Sequence, residues 1–368
     1  MKLAWFILNE SRLTAGPQVK KFEEQWSKWM GCKHSLFVSS GSTANTLLVE
    51  SWKEYYNIKP GAKVIVPACT WVTNVGPIIQ AGLTPVFCDI NLKDFSFCET
   101  DLARIKREHN DIEALFVTHL LGYPANVEKF RMMFPDAFIL EDVCESHGAR
   151  LKSGKRAGTF DVGGTFSFYF GHHMTTIEGG MVTTNNSHLY DLMRMKRSHG
   201  LARESNFHKE YCEKYPDISP QFMFITDGHN FRNNELGAVL GQEQLKRLDT
   251  IIAKRNENYG KYYKLLGDYH GLFLMPTHHE RISNFSFPFI ARQKATKVKL
   301  EALLKEYAVE YRPIVSGNLL RQPFLVDYVD REFDNADVLH ERGLYIGNSH
   351  FVSDYHFEIL DEILRQLV

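Results

Sequence analysis

The chain has 368 residues, 44% of them hydrophobic and 24% charged, with a formal net charge of -1. That length suffices for a large core and two domains, and the balance is that of an ordinary globular chain. A near-neutral charge leaves no electrostatic footprint for nucleic acid or an anionic membrane, so any anion must be held by local chemistry.

The opening MKLAWFILNESRLTAGP has one short apolar run, an early acidic residue and no cleavage-site pattern. No apolar stretch approaches a membrane span, so a soluble, cytoplasmic protein is expected. Short apolar runs at 63–67, 84–90, 113–118 and 137–141 predict strands, with helical patterns around 43–57, 71–81, 99–108 and 126–133 between them. Such alternation predicts a mostly parallel sheet covered on both faces. Strand-like runs follow at 164–170 and 180–184, then a long helical pattern from about 234 to 266. Beyond it come a strand-like run at 284–290 and helices near 296–307 and 355–367. The domain boundary is expected near residue 250, giving a large unit 1–250 and a smaller α/β unit 251–368. A continuous helix joining the two would explain why no flexible linker is visible.

The six cysteines, Cys32, Cys69, Cys88, Cys98, Cys144 and Cys212, have no C-x-x-C, zinc-finger or ferredoxin spacing. Scattered cysteines of this kind suit a reducing compartment, and no iron–sulfur cluster is expected.

Three motifs carry chemistry. Ser39-Ser40-Gly41-Ser42-Thr43-Ala44-Asn45 follows an apolar run and opens a helix, where free N–H groups and hydroxyls make an anion site. A simple helix cap reads the same way. There is no G-x-x-x-x-G-K-[ST] or G-x-G-x-x-G, which argues against ATP-type and dinucleotide loops. Glu141-Asp142-Val143-Cys144-Glu145-Ser146-His147-Gly148-Ala149 ends a predicted strand, where ligand chemistry gathers in open α/β sheets. Asp142 there suits a protonated ring nitrogen; the alternative is a carboxylate capping the next helix. The third motif runs from Ser167-Phe168 through His172-His173 to Gly179-Gly180. A metal reading of the paired histidines is weak, because no acidic or third histidine partner stands at ligand spacing.

Taken in order, these motifs resemble the sugar aminotransferases of the DegT/DnrJ/EryC type, pyridoxal-phosphate enzymes of fold type I. The resemblance also takes in Leu13-Thr14-Ala15-Gly16-Pro17, Pro67-Ala68-Cys69-Thr70-Trp71, His119-Leu120-Leu121-Gly122-Tyr123-Pro124, Gly228-His229-Asn230-Phe231-Arg232 and Gly343-Leu344-Tyr345-Ile346-Gly347-Asn348. It implies an aspartate-aminotransferase-like fold with a mostly parallel central sheet and a smaller C-terminal α/β domain. Ordinary members place a Schiff-base lysine at the spacing where this chain has His172. Imidazole forms no stable aldimine, so the segment resembles instead the 3-dehydratase branch acting on nucleotide-linked sugars. The cysteine pattern favours its GDP-sugar members over the iron–sulfur type.

The resemblance implies phosphate binding at Gly41 and Ser42 with help from Ser167, and pairing of Asp142 with the pyridine nitrogen. It further implies Trp71 stacked on the ring, with a core tryptophan as the alternative, Glu145 as an added polar contact, and Asn230 reaching the phosphate from the second subunit of a homodimer. His172 is the expected acid–base group for C3 dehydration of GDP-4-keto-6-deoxy-D-mannose, because imidazole exchanges protons near neutrality. L-glutamate would regenerate pyridoxamine phosphate, with ammonia released. An aminotransferase that tolerates loss of the lysine, and a catalytically silent binding protein, are the competing expectations.

Overall fold

The structure, a computed structural model, describes residues 2–11 and 13–368; Met1 and Arg12 of the opening stretch lie outside them. Seven strands form the larger sheet: β1 (His34–Val38), β2 (Lys63–Pro67), β3 (Thr84–Cys88), β4 (Ile112–Thr118), β5 (Phe138–Asp142), β6 (Gly163–Ser167) and β7 (Gly180–Thr184). Their spatial order is β1-β7-β6-β5-β4-β2-β3. The pairs β2–β3, β2–β4, β4–β5 and β5–β6 are parallel, whereas β7 runs antiparallel to both its neighbours. β6 and β7 are buried along their whole length, and β1, β2 and β5 at all but the first residue. Continuous apolar runs rather than alternation follow from that two-sided burial.

The smaller sheet holds β8 (Phe273–Leu274), β9 (Ser286–Ala291), β10 (Tyr311–Arg312) and β11 (Gly343–Gly347), all antiparallel, in the order β10-β11-β9-β8. One apolar core runs from β1 and β2 into this sheet and its helices, so the two layers share their packing.

Three sequence expectations are corrected. The 234–266 pattern forms two helices, Glu235–Leu245 and Leu248–Asp268. They break at Lys246 and Arg247, which cap the end of the first helix and the start of the second. The break lets the first helix lie on the Pro17–Met30 helix, where Gly241 meets the Phe22 ring too closely for a Cβ. Asp249 then anchors the second helix by accepting from Trp29 Nε1 at 2.9 Å. The 71–81 pattern is split into a 3-10 turn, Val72–Asn74, and a short helix, Gly76–Gln80. Pro77 at the start of that helix has no N–H to continue the preceding turn. The 164–170 run stops being strand at Ser167, the last residue paired with β7. Tyr169 and Phe170 point outward instead.

The Pro17–Met30 helix lacks a side-chain cap of its own at Gly16. Glu235, 2% exposed, takes that role from a distance, accepting from the backbone N–H groups of Gly16, Gln18 and Val19 at 3.0, 2.9 and 2.8 Å. A buried carboxylate at a helix N-terminus satisfies donors that are otherwise orphaned. Glu235→Ala should cost about 2–3 kcal/mol, since hydrogen bonds to charged groups are the strong ones. A lowered midpoint of urea unfolding checks it, with Glu235→Gln falling between the two.

Candidate active site

Parallel strands place the ends of β1, β2, β4, β5 and β6 on one edge, joined there by the start of β7. Six of the residues singled out in the sequence, Gly41, Ser42, Trp71, Asp142, Glu145 and Ser167, lie at these ends or within four positions of them. Ser40 caps the Gly41–Tyr55 helix, with Thr43 N donating to Ser40 Oγ at 3.1 Å and Ser40 N to Thr43 Oγ1 at 3.0 Å. Among the described residues the N–H groups of Gly41 and Ser42 have no protein acceptor. The cap and the anion site therefore coexist.

Two glycines let these strand ends converge. A Cβ on Gly41 would stand 2.7 Å from Ser167 Cβ and 3.0 Å from Cys144 Sγ. One on Gly180 would stand 2.2 Å from the Ser40 carbonyl oxygen. Ser167 is nearly buried, and its Oγ accepts from Tyr169 N at 3.3 Å.

Asp142, 3% exposed, ends β5. No helix starts after it before β6, so the helix-cap alternative is not realised. Oδ1 accepts from Cys144 N and Oδ2 from Asn45 Nδ2, both at 2.9 Å. Asn45 is held in turn by the Thr165 hydroxyl, which donates to its Oδ1. Glu145 Oε2 accepts from Leu121 N at 2.9 Å. Burial pushes the Glu145 carboxyl up to about 7, with the Asp142 charge adding to the shift and the Leu121 N–H opposing it. Trp71 precedes the Val72–Asn74 turn and is 56% exposed. It is not a core tryptophan.

His172 lies in a loop closed by Phe168 N donating to the Gly179 carbonyl at 2.8 Å and Thr176 N to the Phe168 carbonyl at 3.0 Å. Its ring packs against Phe285, 5.5 Å between centroids, and Arg255 Nη2 donates to its carbonyl at 3.3 Å. Nδ1 is buried without a partner, which turns Nε2 outward. Burial, and then the Arg255 charge, push the imidazole down to about 3, so the ring is neutral near pH 7. His173 turns away toward His147, 3.3 Å between Nδ1 atoms. No three His, Cys, Asp or Glu side chains gather as metal ligands among the described residues.

The smaller sheet closes this edge. Ser316 Oγ donates to the Thr70 carbonyl, and Leu319 N to that of Ala68, each at 2.8 Å. Tyr345 is pushed up to about 12 by burial and then by the Glu145 charge. Asn230 stands apart within one chain: it is exposed, and its Oδ1 accepts from Arg232 Nε at 3.0 Å. Sequence reasoning missed Asn45, Arg255, His147 and His173 as site neighbours. Asn45 was within reach, because four residues past Gly41 it lies on the same helix face.

Residues 2–363 match the DegT/DnrJ/EryC1/StrS aminotransferase family. The chain belongs to that family. It is 34% identical over 373 residues to GDP-4-keto-6-deoxy-D-mannose 3-dehydratase of Yersinia pseudotuberculosis, covering 98% of this chain and 94% of that one. The protein of that name from Escherichia coli O55:H7 is 33% identical over 98% and 94% of the two chains. A crystal structure of GDP-4-keto-6-deoxymannose-3-dehydratase with a trapped PLP–glutamate geminal diamine superposes with a TM-score of 0.89 at 31% identity, covering 99% and 96%.

The donor set of this family member fits pyridoxal phosphate. An open helix N-terminus at Gly41 and Ser42, crowded by Ser167, suits a phosphate. A buried carboxylate at Asp142, with each oxygen anchored, suits a protonated ring nitrogen. The exposed Trp71 offers an aromatic face.

Burial also pushes His147 and His173 well below the ordinary 6.5. Between about pH 5 and 6 the unfolded chain binds protons at three histidines that the folded one does not, His147, His172 and His173. The folded chain holds one extra proton, on Glu145. Over these four groups the difference, three minus one, is about two protons taken up on unfolding, a contribution to stability that rises with pH by about 2.7 kcal/mol per unit there. His34, His279, His340 and His350, also lowered by burial, act in the same direction. This stability is lost as pH falls below 6.5, the histidine value of the unfolded chain. Urea titrations of the cofactor-free protein across that range check the slope, which His173→Asn should lower by about one proton.

Proposed function

We propose that the chain is a pyridoxal-phosphate-dependent 3-dehydratase acting on a GDP-linked 4-keto-6-deoxyhexose, with GDP-4-keto-6-deoxy-D-mannose as substrate. The observation that carries this reading is His172: a neutral imidazole stands where the family's other branch has a lysine, with Nε2 turned outward. Bound pyridoxamine phosphate supplies an amine for the C4 ketone and an electron sink. Gly41, Ser42 and Ser167 hold the phosphate, Asp142 keeps the ring nitrogen protonated, Trp71 covers one face, and Glu145 adds a polar contact. His172 Nε2 accepts a proton and returns it to the departing C3 hydroxyl, so that water leaves. Burial keeps the ring neutral near pH 7, which leaves Nε2 a lone pair for the first step.

With no amine at position 172 the chain cannot recapture the cofactor, and the released product sheds its amine to water. The sum balances: substrate and L-glutamate give the 3,6-dideoxy-4-keto sugar, 2-oxoglutarate and ammonia. One water is released at C3 and one consumed in freeing ammonia.

The working form is read as a cytoplasmic homodimer with shared sites, divided into units 1–250 and 251–368. Phe170 and Ile177, 77% and 70% exposed on the His172 loop, are side chains that a second copy would cover. The exposed Asn230 would then reach the partner's phosphate.

Incubation with GDP-4-keto-6-deoxymannose, pyridoxal phosphate and glutamate should give a sugar nucleotide lighter by one oxygen atom, with ammonia and 2-oxoglutarate in equal amounts. A stable 4-amino sugar identifies an aminotransferase instead, and no turnover with bound cofactor identifies a silent binding protein. His172→Lys should reduce dehydration at least about 100-fold, the usual scale for losing a positioned base. Borohydride should then fix the cofactor to the variant, while leaving the parent unlabelled.

A further inference from the structure

Three histidine rings lie behind the site, and only one has a role in the reading above. His147 is fully buried and His173 is 2% exposed. His173 Nε2 lies 3.2 Å from the Ser283 carbonyl oxygen and 3.2 Å from its hydroxyl. That hydroxyl donates to the His147 carbonyl at 2.6 Å, so both Ser283 oxygens act as acceptors toward His173. Nε2 of His173 therefore carries the hydrogen. Burial, with Arg255 as the nearby charge, keeps all three rings neutral, with one N–H each.

The remaining hydrogens follow in sequence. His173 Nδ1 is a lone pair, so His147 Nδ1, 3.3 Å away, must donate to it. The Ser167 carbonyl lies toward His147 and offers an acceptor for an Nε2–H. That tautomer would set two lone pairs face to face at 3.3 Å. With its hydrogen on Nδ1, His147 presents Nε2 as a buried lone pair that has no donor. His172 Nδ1 is equally buried and unpartnered, and the two ring centroids are 6.1 Å apart. Two orphans of complementary kind, each costly to leave unmatched, thus stand on neighbouring rings.

We infer that His147 is a positioning residue: its Nε2 accepts the Nδ1–H of His172 through one bridging water, and so leaves the His172 Nε2 lone pair facing the site. The Ser283 carbonyl thereby sets the tautomer of the reacting imidazole through two intervening rings, as orienting partners do for other working histidines. This rests on His172 being the base.

Nitrogen-15 NMR of histidine-labelled, cofactor-free protein at neutral pH reads the tautomer without turnover, with His172 assigned by its loss in His172→Asn. The parent should carry the His172 hydrogen on Nδ1, and His147→Leu should move it to Nε2 or leave a mixture. His173→Leu, which frees His147 to turn its hydrogen toward Ser167, should have the same effect and serves if His147→Leu does not fold. An Nε2–H His172 in the parent, or an unchanged tautomer in the variants, overturns the inference. In kinetics, His147→Leu should lower kcat at least about tenfold with KM within about twofold, and His147→Asn, which keeps an acceptor oxygen, should recover most of it. A kcat in His147→Leu within about twofold of the parent also overturns it. Absence of turnover in the parent would reject the dehydratase reading, and the tautomer would then decide this one alone.

Discussion

The site depends first on how closely three strand ends approach one another. Gly41 admits Ser167, and Gly180 admits the Ser40 carbonyl, at separations no Cβ tolerates, and Cys144 crowds Gly41 as well. Because β7 is antiparallel to β1 and β6, its first residue arrives where theirs end, at the register Val38–Gly180 and Ser167–Gly180. An open helix N-terminus, a serine hydroxyl and the base of the His172 loop are thus fixed by backbone packing. Such a cradle needs little reorganisation on binding an anion, which is what preorganisation means in energetic terms.

Much of this was legible in the sequence, and for definite reasons. β2 falls on its predicted range because two-sided burial favours an apolar run, and β7 because its Val and two Thr are β-branched strand formers behind a glycine turn. The motifs at 39–45, 141–149 and 167–180 were legible together: the first two alone also read as helix caps, and it is their order along the chain that carries the resemblance. What failed was continuity. The apolar pattern runs through Arg247 without a Gly or Pro to mark the break, since the break answers to Phe22 and Trp29, more than 200 residues away. Tyr169 and Phe170 read as strand because aromatic residues prefer strands, yet no partner strand extends past Gly180 to pair them.

The side chains that tune the site were less legible than those that form it. Arg255 sits on a helix whose pattern gives it no distinction, and only folding sets its guanidinium beside the His172 carbonyl and the Phe285 carbonyl. Asn45 reads as the tail of a helix cap. In the fold it links the Thr165 hydroxyl to Asp142. Contacts of this sort join residues 30 to 120 positions apart, and no local period encodes them.

Burial beside a fixed cation also explains why imidazole rather than amine suits this chemistry. A lysine at position 172 would meet the same desolvation and the same Arg255 charge, and both would drive it toward the free amine. A free amine is a nucleophile toward an aldehyde and would tether the cofactor. The neutral imidazole created by that environment keeps a lone pair for proton transfer yet holds no carbonyl carbon durably. The electrostatics that would make lysine a good trap therefore keep histidine neutral.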